Sequence, residues 1–285
     1  MRDYVILTDS GTDLTKQEVK DLGVIQLDLT VIMEGEAPRP NSDVDAKEFY
    51  EYLRSKKMAT TSAINTETFE LAIEDLVKEG KDVLYLGFSS GLSATYNAGR
   101  LAVEEMSEKY PDAKLFACDT LCASRGQGML VYLAAMKKQA GATIEEVRDY
   151  VEQTKLHLCH EFTVDSLMFL KRGGRVSATT AVVGTMLSIK PVMHVDNDGK
   201  LIKVGTARGR RASIDALFDR TKAAVTDTDV MFICHGDCIE DANYLAERVK
   251  NELGVKQVFT DYTGVVIGSH SGPGTLAIFY IGKER

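Results

Sequence analysis

The sequence predicts an α/β fold in two parts: an open, mainly parallel α/β layer over residues 1–155 and a mixed α+β region over residues 156–285. Three observations carry this. Through the first half, short apolar runs alternate with stretches of helical period, which calls for crossover helices and a parallel sheet covered on both faces. Capping boxes stand ahead of two of the helical stretches, at Thr15 with Glu18 and at Thr143 with Glu146. Near residue 155 the alternation gives way to hairpin and loop signals.

Taken in order, "DYVILTD" reads as a short buried strand. Thr15 and Glu18 have the spacing of a capping box and Leu14 can staple to Val19, so a helix follows. "GVIQLDLTVIM" reads as one or two extended segments, and Asp45 to Leu53 as a helix burying Ala46, Phe49, Tyr50 and Leu53. Phe69, Ala72, Ile73, Leu76 and Val77 mark one face of an amphipathic helix. A strand over residues 83–88 then runs into "SSGLS", and a helix begins with Ala98, Leu101, Ala102 and Met106 on its inner side. "AKLFACD" is the next strand, followed by a loop from Asp119 to Gly128 and a helix through Met129, Leu133 and Met136. Thr143 and Glu146 form a second capping box ahead of Ile144, Val147 and Val151.

The second half starts with "HEFTVDSLMFLKRGGRVS", which has no clean period, and an apolar helix over residues 179–190. "PVMHVDNDGKLIKVGTAR" reads as a hairpin turning at "NDGK". "SIDALFDRTKAA" reads as a capped helix, and "DVMFICHG" with "DANYLAERVKNEL" as a strand and helix. "VVIGSHSGPGTLAIFYI" reads as two strands bracketing a polar loop.

Composition excludes several function classes. A net charge of −8 argues against nucleic acid, which needs a basic face. No window approaches the ~18 apolar residues of a membrane helix, and "MRDYVILTDS" is interrupted by Asp9 before any leader pattern forms, so a cytoplasmic location is expected. Five scattered cysteines without zinc spacing read as reduced thiols, with no metal site. No phosphate-binding loop of the Walker type and no dinucleotide fingerprint is present, so no nucleotide cofactor is expected.

The carboxyl ends of the strands should carry "TDSGTD", "TTS", "SSGLS" and "DTLCASRGQG", where hydroxyls dominate. Ser93 within Gly91-Leu92-Ser93-Ala94-Thr95 approaches a nucleophile elbow, but Thr95 replaces the second glycine. A hydrolase using Ser93, Asp119 and His270 is the alternative reading. His270 sits in a Gly-Pro stretch suited to a positioned contact. Lys171, Arg172 and Arg175, and again Arg208, Arg210 and Arg211, suggest a local basic surface.

The ordered set "TDSGTDL", "ATTSAIN", "FSSGLSATYNA", "FLKRGGRVS", "SIKPVMHVDNDGKL", the arginines from 208 and "GSHSGPGTLA" resembles the DegV family over nearly the whole chain. Ala63 and Ile64 depart from the family's usual glutamine or proline after Thr-Ser, and Ala94 stands where a glycine is common. The resemblance implies a two-domain protein that holds one long-chain fatty acid between its domains. It implies a carrier rather than an enzyme, with a separate fatty acid kinase subunit phosphorylating the bound carboxyl group. Carried over by position, Thr61, Ser93 and His270 would meet the carboxylate. Arg175 and Arg208 would dock the kinase. Ser62, Val182, Met186 and Ile189 would lie behind the head group or along the tail. The fatty acid is the only ligand implied, and a transient contact with a membrane surface fits a lipid carrier.

Overall fold

A computed structural model describes residues 2–177 and 188–285. The expected parallel layer is a four-stranded sheet built from β1 (Tyr4–Asp9), β2 (Ile25–Leu27), β6 (Asp82–Gly87) and β7 (Leu115–Asp119). Its order is β2-β1-β6-β7 and every pairing is parallel. β1 and β6 are buried along their whole length, as strands covered on both faces must be. The covering helices are α1 (Lys16–Leu22), α3 (Thr66–Lys78), α4 (Thr95–Lys109), α5 (Arg125–Gln139) and α6 (Ile144–Thr154). Both capping boxes form, at Thr15 with Glu18 and at Thr143 with Glu146. Leu101 faces solvent instead of the core, and the loop after β7 ends at Ser124, because α5 already begins at Arg125.

A small antiparallel sheet, β4-β3-β5, interrupts this layer with β3 (Thr30–Met33), β4 (Arg39–Pro40) and β5 (Ala59–Ser62), and α2 (Ala46–Arg54) packs beside it. The "TTS" segment is therefore inside an antiparallel strand and not at the end of a parallel one.

The third sheet has the order β10-β9-β8-β13-β11-β12. It contains β8 (Leu158–Thr163), β9 (Ile189–Val195), β10 (Leu201–Arg208), β11 (Val230–His235), β12 (Gln257–Tyr262) and β13 (Leu276–Ile281). Only β11 and β12 run parallel, so the second half is mixed as expected. β9 and β10 form the predicted hairpin around Asp196–Gly199. α7 (Met168–Arg172), α8 (Arg210–Ala224), α9 (Ile239–Leu253) and α10 (Val265–Ser271) complete the described elements.

Four readings change here. The "VVI" of residues 265–267 is the first turn of α10, not a strand, and His270 lies in its last turn. Of the helix expected over residues 179–190, the described part is not helical, because β9 starts at Ile189; residues 179–187 lie outside the described residues. α8 begins at Arg210, ahead of Ser213, and its cap residue Gly209 makes no side-chain bond. β12 was not anticipated.

The expected boundary near residue 155 falls between α6 and β8. One apolar cluster nevertheless joins residues on both sides of it: Leu84, Leu86, Met129 and Leu130 pack in the same core as Phe162, Phe232 and Phe279. α5 makes that junction, with every residue from Arg125 to Val131 buried.

Candidate functional site

The carboxyl-end loops of the parallel sheet face α10 and the third sheet across a cavity of about 260 Å³. Most of its wall is apolar: Leu29, Phe88, Leu92, Phe162, Leu170, Val195, Val266, Ile267 and Phe279. The turn after β6 closes one side. There Ser89 donates to the Gly199 carbonyl at 2.8 Å, docking the Ser-rich turn on the β9–β10 hairpin. Gly199 has a φ of 71°, a left-handed conformation that glycine adopts without strain.

Thr61, Ser93, His270 and Arg175 all line this cavity. Thr61 Oγ1 and His270 Nε2 are hydrogen-bonded at 2.8 Å, although 209 residues separate them in the chain. Ser93 Oγ accepts from the Thr95 N–H at 3.2 Å and lies 2.9 Å from Thr95 Oγ1. With its oxygen serving the turn, its O–H remains able to donate into the cavity. Arg175 is tied by Nε to the Leu92 carbonyl at 3.2 Å and by a terminal nitrogen to the Gly173 carbonyl. Gly173 leaves room for the imidazole: a Cβ there would overlap the His270 ring.

Burial, reinforced by the nearby Arg175 charge, lowers His270 to about 4. The ring is therefore neutral at pH 7. The unfolded chain takes up this proton below about 6.5 while the folded chain does so only below about 4. Stability is thus full above pH 6.5 and falls as pH drops toward 4. Between pH 7 and 5 the wild-type protein should lose about 2 kcal/mol more unfolding free energy than His270→Asn, measured by urea denaturation. Equal losses in the two proteins would contradict the burial of a neutral ring.

A second histidine, His160, shares the wall. Its Nδ1 lies 3.1 Å from the Leu158 carbonyl and its Nε2 accepts from the Ala123 N–H, which sets one neutral tautomer. Burial lowers it well below the usual histidine range. Sequence reasoning missed His160, because a histidine inside a fully buried strand carries no loop signal. It also missed Ser124, Cys234, Thr263 and Ser271 in the wall, which come from three separate segments.

The other expected residues fall differently. Ser62 is exposed and outside the described lining, since alternate residues of β5 point to opposite faces. Ile189 is half-buried as the first residue of β9 and does not line the cavity, so no helical stripe runs through it. Val182 and Met186 lie outside the described residues. Ala94, the departure at the head-group motif, does place its methyl group in the wall. Arg208 is exposed at the end of β10. The basic surface around it shrinks, however. Arg210 is paired with Asp241 at 2.7 Å, and Arg211 stacks on the Tyr244 ring.

The hydrolase set does not assemble as a relay among the described hydrogen bonds. Asp119 Oδ1 accepts from the Ser90 and Leu121 N–H groups, His270 Nε2 is on Thr61, and Ser93 is on Thr95. Among the described residues there is no cluster of three histidine, cysteine, aspartate or glutamate side chains able to hold a metal ion. None of the described helices is long and apolar enough to cross a membrane.

The chain belongs to the DegV family: the family model, which describes its members as uncharacterised proteins, matches residues 3–283. A DegV domain-containing protein of Clostridium perfringens is 46% identical, covering 100% of this chain and 99% of that relative. Among solved structures, a fatty-acid-binding DegV family protein from Thermus thermophilus matches with a TM-score of 0.89 at 28% identity, over 99% of this chain and 100% of that one. DegV of Bacillus subtilis, described as a fatty acid binding protein, matches with a TM-score of 0.85 at 25% identity, over 99% and 100%.

Proposed function

We propose that this chain binds a long-chain fatty acid in the cytoplasm, with the tail in the cavity and the carboxylate on Thr61, Ser93 and His270. The observation that carries the reading is an apolar cavity whose polar patch is mainly hydroxyls and neutral imidazoles, with Arg175 as its charged member. The fatty acid binding described for the Thermus and Bacillus relatives supports it. About fourteen buried methylenes at roughly 0.8 kcal/mol each offer about 11 kcal/mol. Association and ordering remove much of that. The tail then supplies affinity and the hydroxyls supply orientation.

On this reading the chain is a carrier without its own catalysis or cofactor. It presents the carboxylate to a separate kinase subunit that forms an acyl phosphate. Neutral donors suit that role, because they leave carboxylate oxygens open to attack on a phosphoryl donor. Exposed Arg208 and the half-buried Arg175 at the cavity wall are the residues proposed to meet the kinase. Capture of the kinase subunit that persists after Arg208→Ala would remove that role.

Native mass spectrometry of the protein as purified tests the main reading. A mass increment that disappears on denaturation and releases a fatty acid is expected, and a wholly empty protein that takes up no added fatty acid contradicts it. Ser93→Ala should weaken fatty acid binding about tenfold to a hundredfold, the share of one hydrogen bond to a charged group. A loss beyond a hundredfold with intact folding would contradict this division of labour.

A further inference from the structure

One face of α10 runs along the cavity, and its lining residues read polar, apolar, polar: Thr263 just before the helix, then Val266 and Ile267, then His270 and Ser271. The His270 end belongs to the proposed carboxylate site. The Thr263 end is a second polar cluster of different make-up. Thr263 Oγ1 donates to Cys234 Sγ at 3.1 Å. Ser124 Oγ donates to Asp13 Oδ2 and lies 3.3 Å from the same sulfur. Ser124, Cys234 and Thr263 all reach the cavity wall, while Asp13 stands behind them.

Such a cluster is costly inside an apolar chamber unless it has work to do. Its hydroxyl hydrogens are already spent within the protein, which leaves the Cys234 S–H as a weak donor. The Ser124 proton goes to Asp13 and the Thr263 proton goes to Cys234. What faces the cavity is therefore acceptor capacity on two hydroxyl oxygens.

The spacing sets where a ligand would meet this cluster. Val265 to His270 is five helical steps, about 7.5 Å, and Thr263 lies two non-helical residues further on, so the two ends are on the order of 10 Å apart. Carbon–carbon bonds of about 1.5 Å, projected along an extended zigzag, advance about 1.25 Å each. A chain anchored at His270 thus presents its ninth or tenth carbon to Thr263 and Ser124.

We propose that Ser124 and Thr263, backed by Asp13 and Cys234, form a mid-chain subsite that accepts a hydrogen bond from a hydroxyl near carbon 9 or 10 of a hydroxylated long-chain acid. This rests on the fatty-acid reading above. A ketone at the same position cannot donate and gains nothing from the cluster.

The test is competition binding of 10-hydroxyoctadecanoic acid against octadecanoic acid, read as a ratio of dissociation constants. In the wild-type protein the hydroxy acid binds at least as tightly as octadecanoic acid. One hydroxyl donates one hydrogen, so in at least one of Thr263→Val and Ser124→Ala the ratio moves about tenfold against the hydroxy acid, the size of one buried hydrogen bond. The ratio for 2-hydroxyoctadecanoic acid does not follow these substitutions, and 10-oxooctadecanoic acid gains no preference in the wild type. Each ratio carries its own folding control, because octadecanoic acid is measured on the same protein. A wild-type protein that already rejects the hydroxy acid tenfold, or substitutions that leave the ratio in place, would overturn the subsite while leaving the lipid reading intact. Failure of octadecanoic acid itself to bind the wild type would instead overturn the lipid reading.

Discussion

Replacing Glu18 with alanine should lower the unfolding free energy by about 3–5 kcal/mol, the loss expected when a buried charge is left without its partner. Arg125 is 1% exposed, and its guanidinium reaches the α1 carboxylate of Glu18 and the Asp13 carbonyl, 3.1 Å away. Its other face lies 4.9 Å from the centre of the Phe232 ring. Burial alone would raise Glu18, yet the Arg125 guanidinium holds it below the usual carboxylate range. Removing Glu18 therefore strands a cation in the junction between the two large sheets. Arg125→Met removes the charge while keeping a similar stem, so it should cost less than half as much. The double variant should be more stable than Glu18→Ala alone. Glu18 also completes the α1 capping box, and Thr15→Ala measures that share at about 1 kcal/mol. Urea unfolding at pH 7 separates the terms, and a Glu18→Ala loss no larger than that of Thr15→Ala would refute the argument. The consequence reaches function, since Arg125 opens α5 directly after Ala123 and Ser124 of the cavity wall.

The parallel layer was readable because β1, β6 and β7 are each followed by a helix, and α1, α3 and α6 carry side-chain caps of their own. The second half was harder for identifiable reasons. β8 is buried on both faces, so it shows no alternation, and its sequence blends into the turn that follows. Val265, Val266 and Ile267 favour strands by propensity, yet they form the first turn of α10, where Val265 and Val266 are buried against two different clusters. Such tertiary choices are invisible to a local window. The same limit governs the site. Thr61, Ser93 and His270 came from the family resemblance, and the structure brings them to one cavity. Arg175 was expected on a docking surface, because a Lys-Arg-Gly-Gly-Arg turn looks like solvent-facing charge. Its neighbours in space, Leu92 and His270, are far away in sequence and gave no hint of the half-buried position it holds.

That same turn yields the sharpest functional expectation. Gly173→Val should weaken fatty acid binding tenfold or more. Gly173 has an ordinary φ of −70°, so a side chain is allowed by the backbone there. The obstacle is His270, whose ring occupies the space that a Cβ would take. Valine forces the ring away from its 2.8 Å hydrogen bond to Thr61 and from the proposed carboxylate position. Hydrogen bonds to a charged group are worth about 1.5–3 kcal/mol, which sets the expected loss at roughly tenfold to a hundredfold. Adjacent Gly174 is a glycine for another reason, a φ of 73°, and its alanine variant should act on stability through backbone strain. A mutant cycle decides whether Gly173 works through the imidazole. If it does, adding Gly173→Val to His270→Ala brings little further loss, because the ring it would displace is already gone. Full additivity of the two losses would mean that valine disturbs the cavity by another route, and the assigned role of Gly173 would fall.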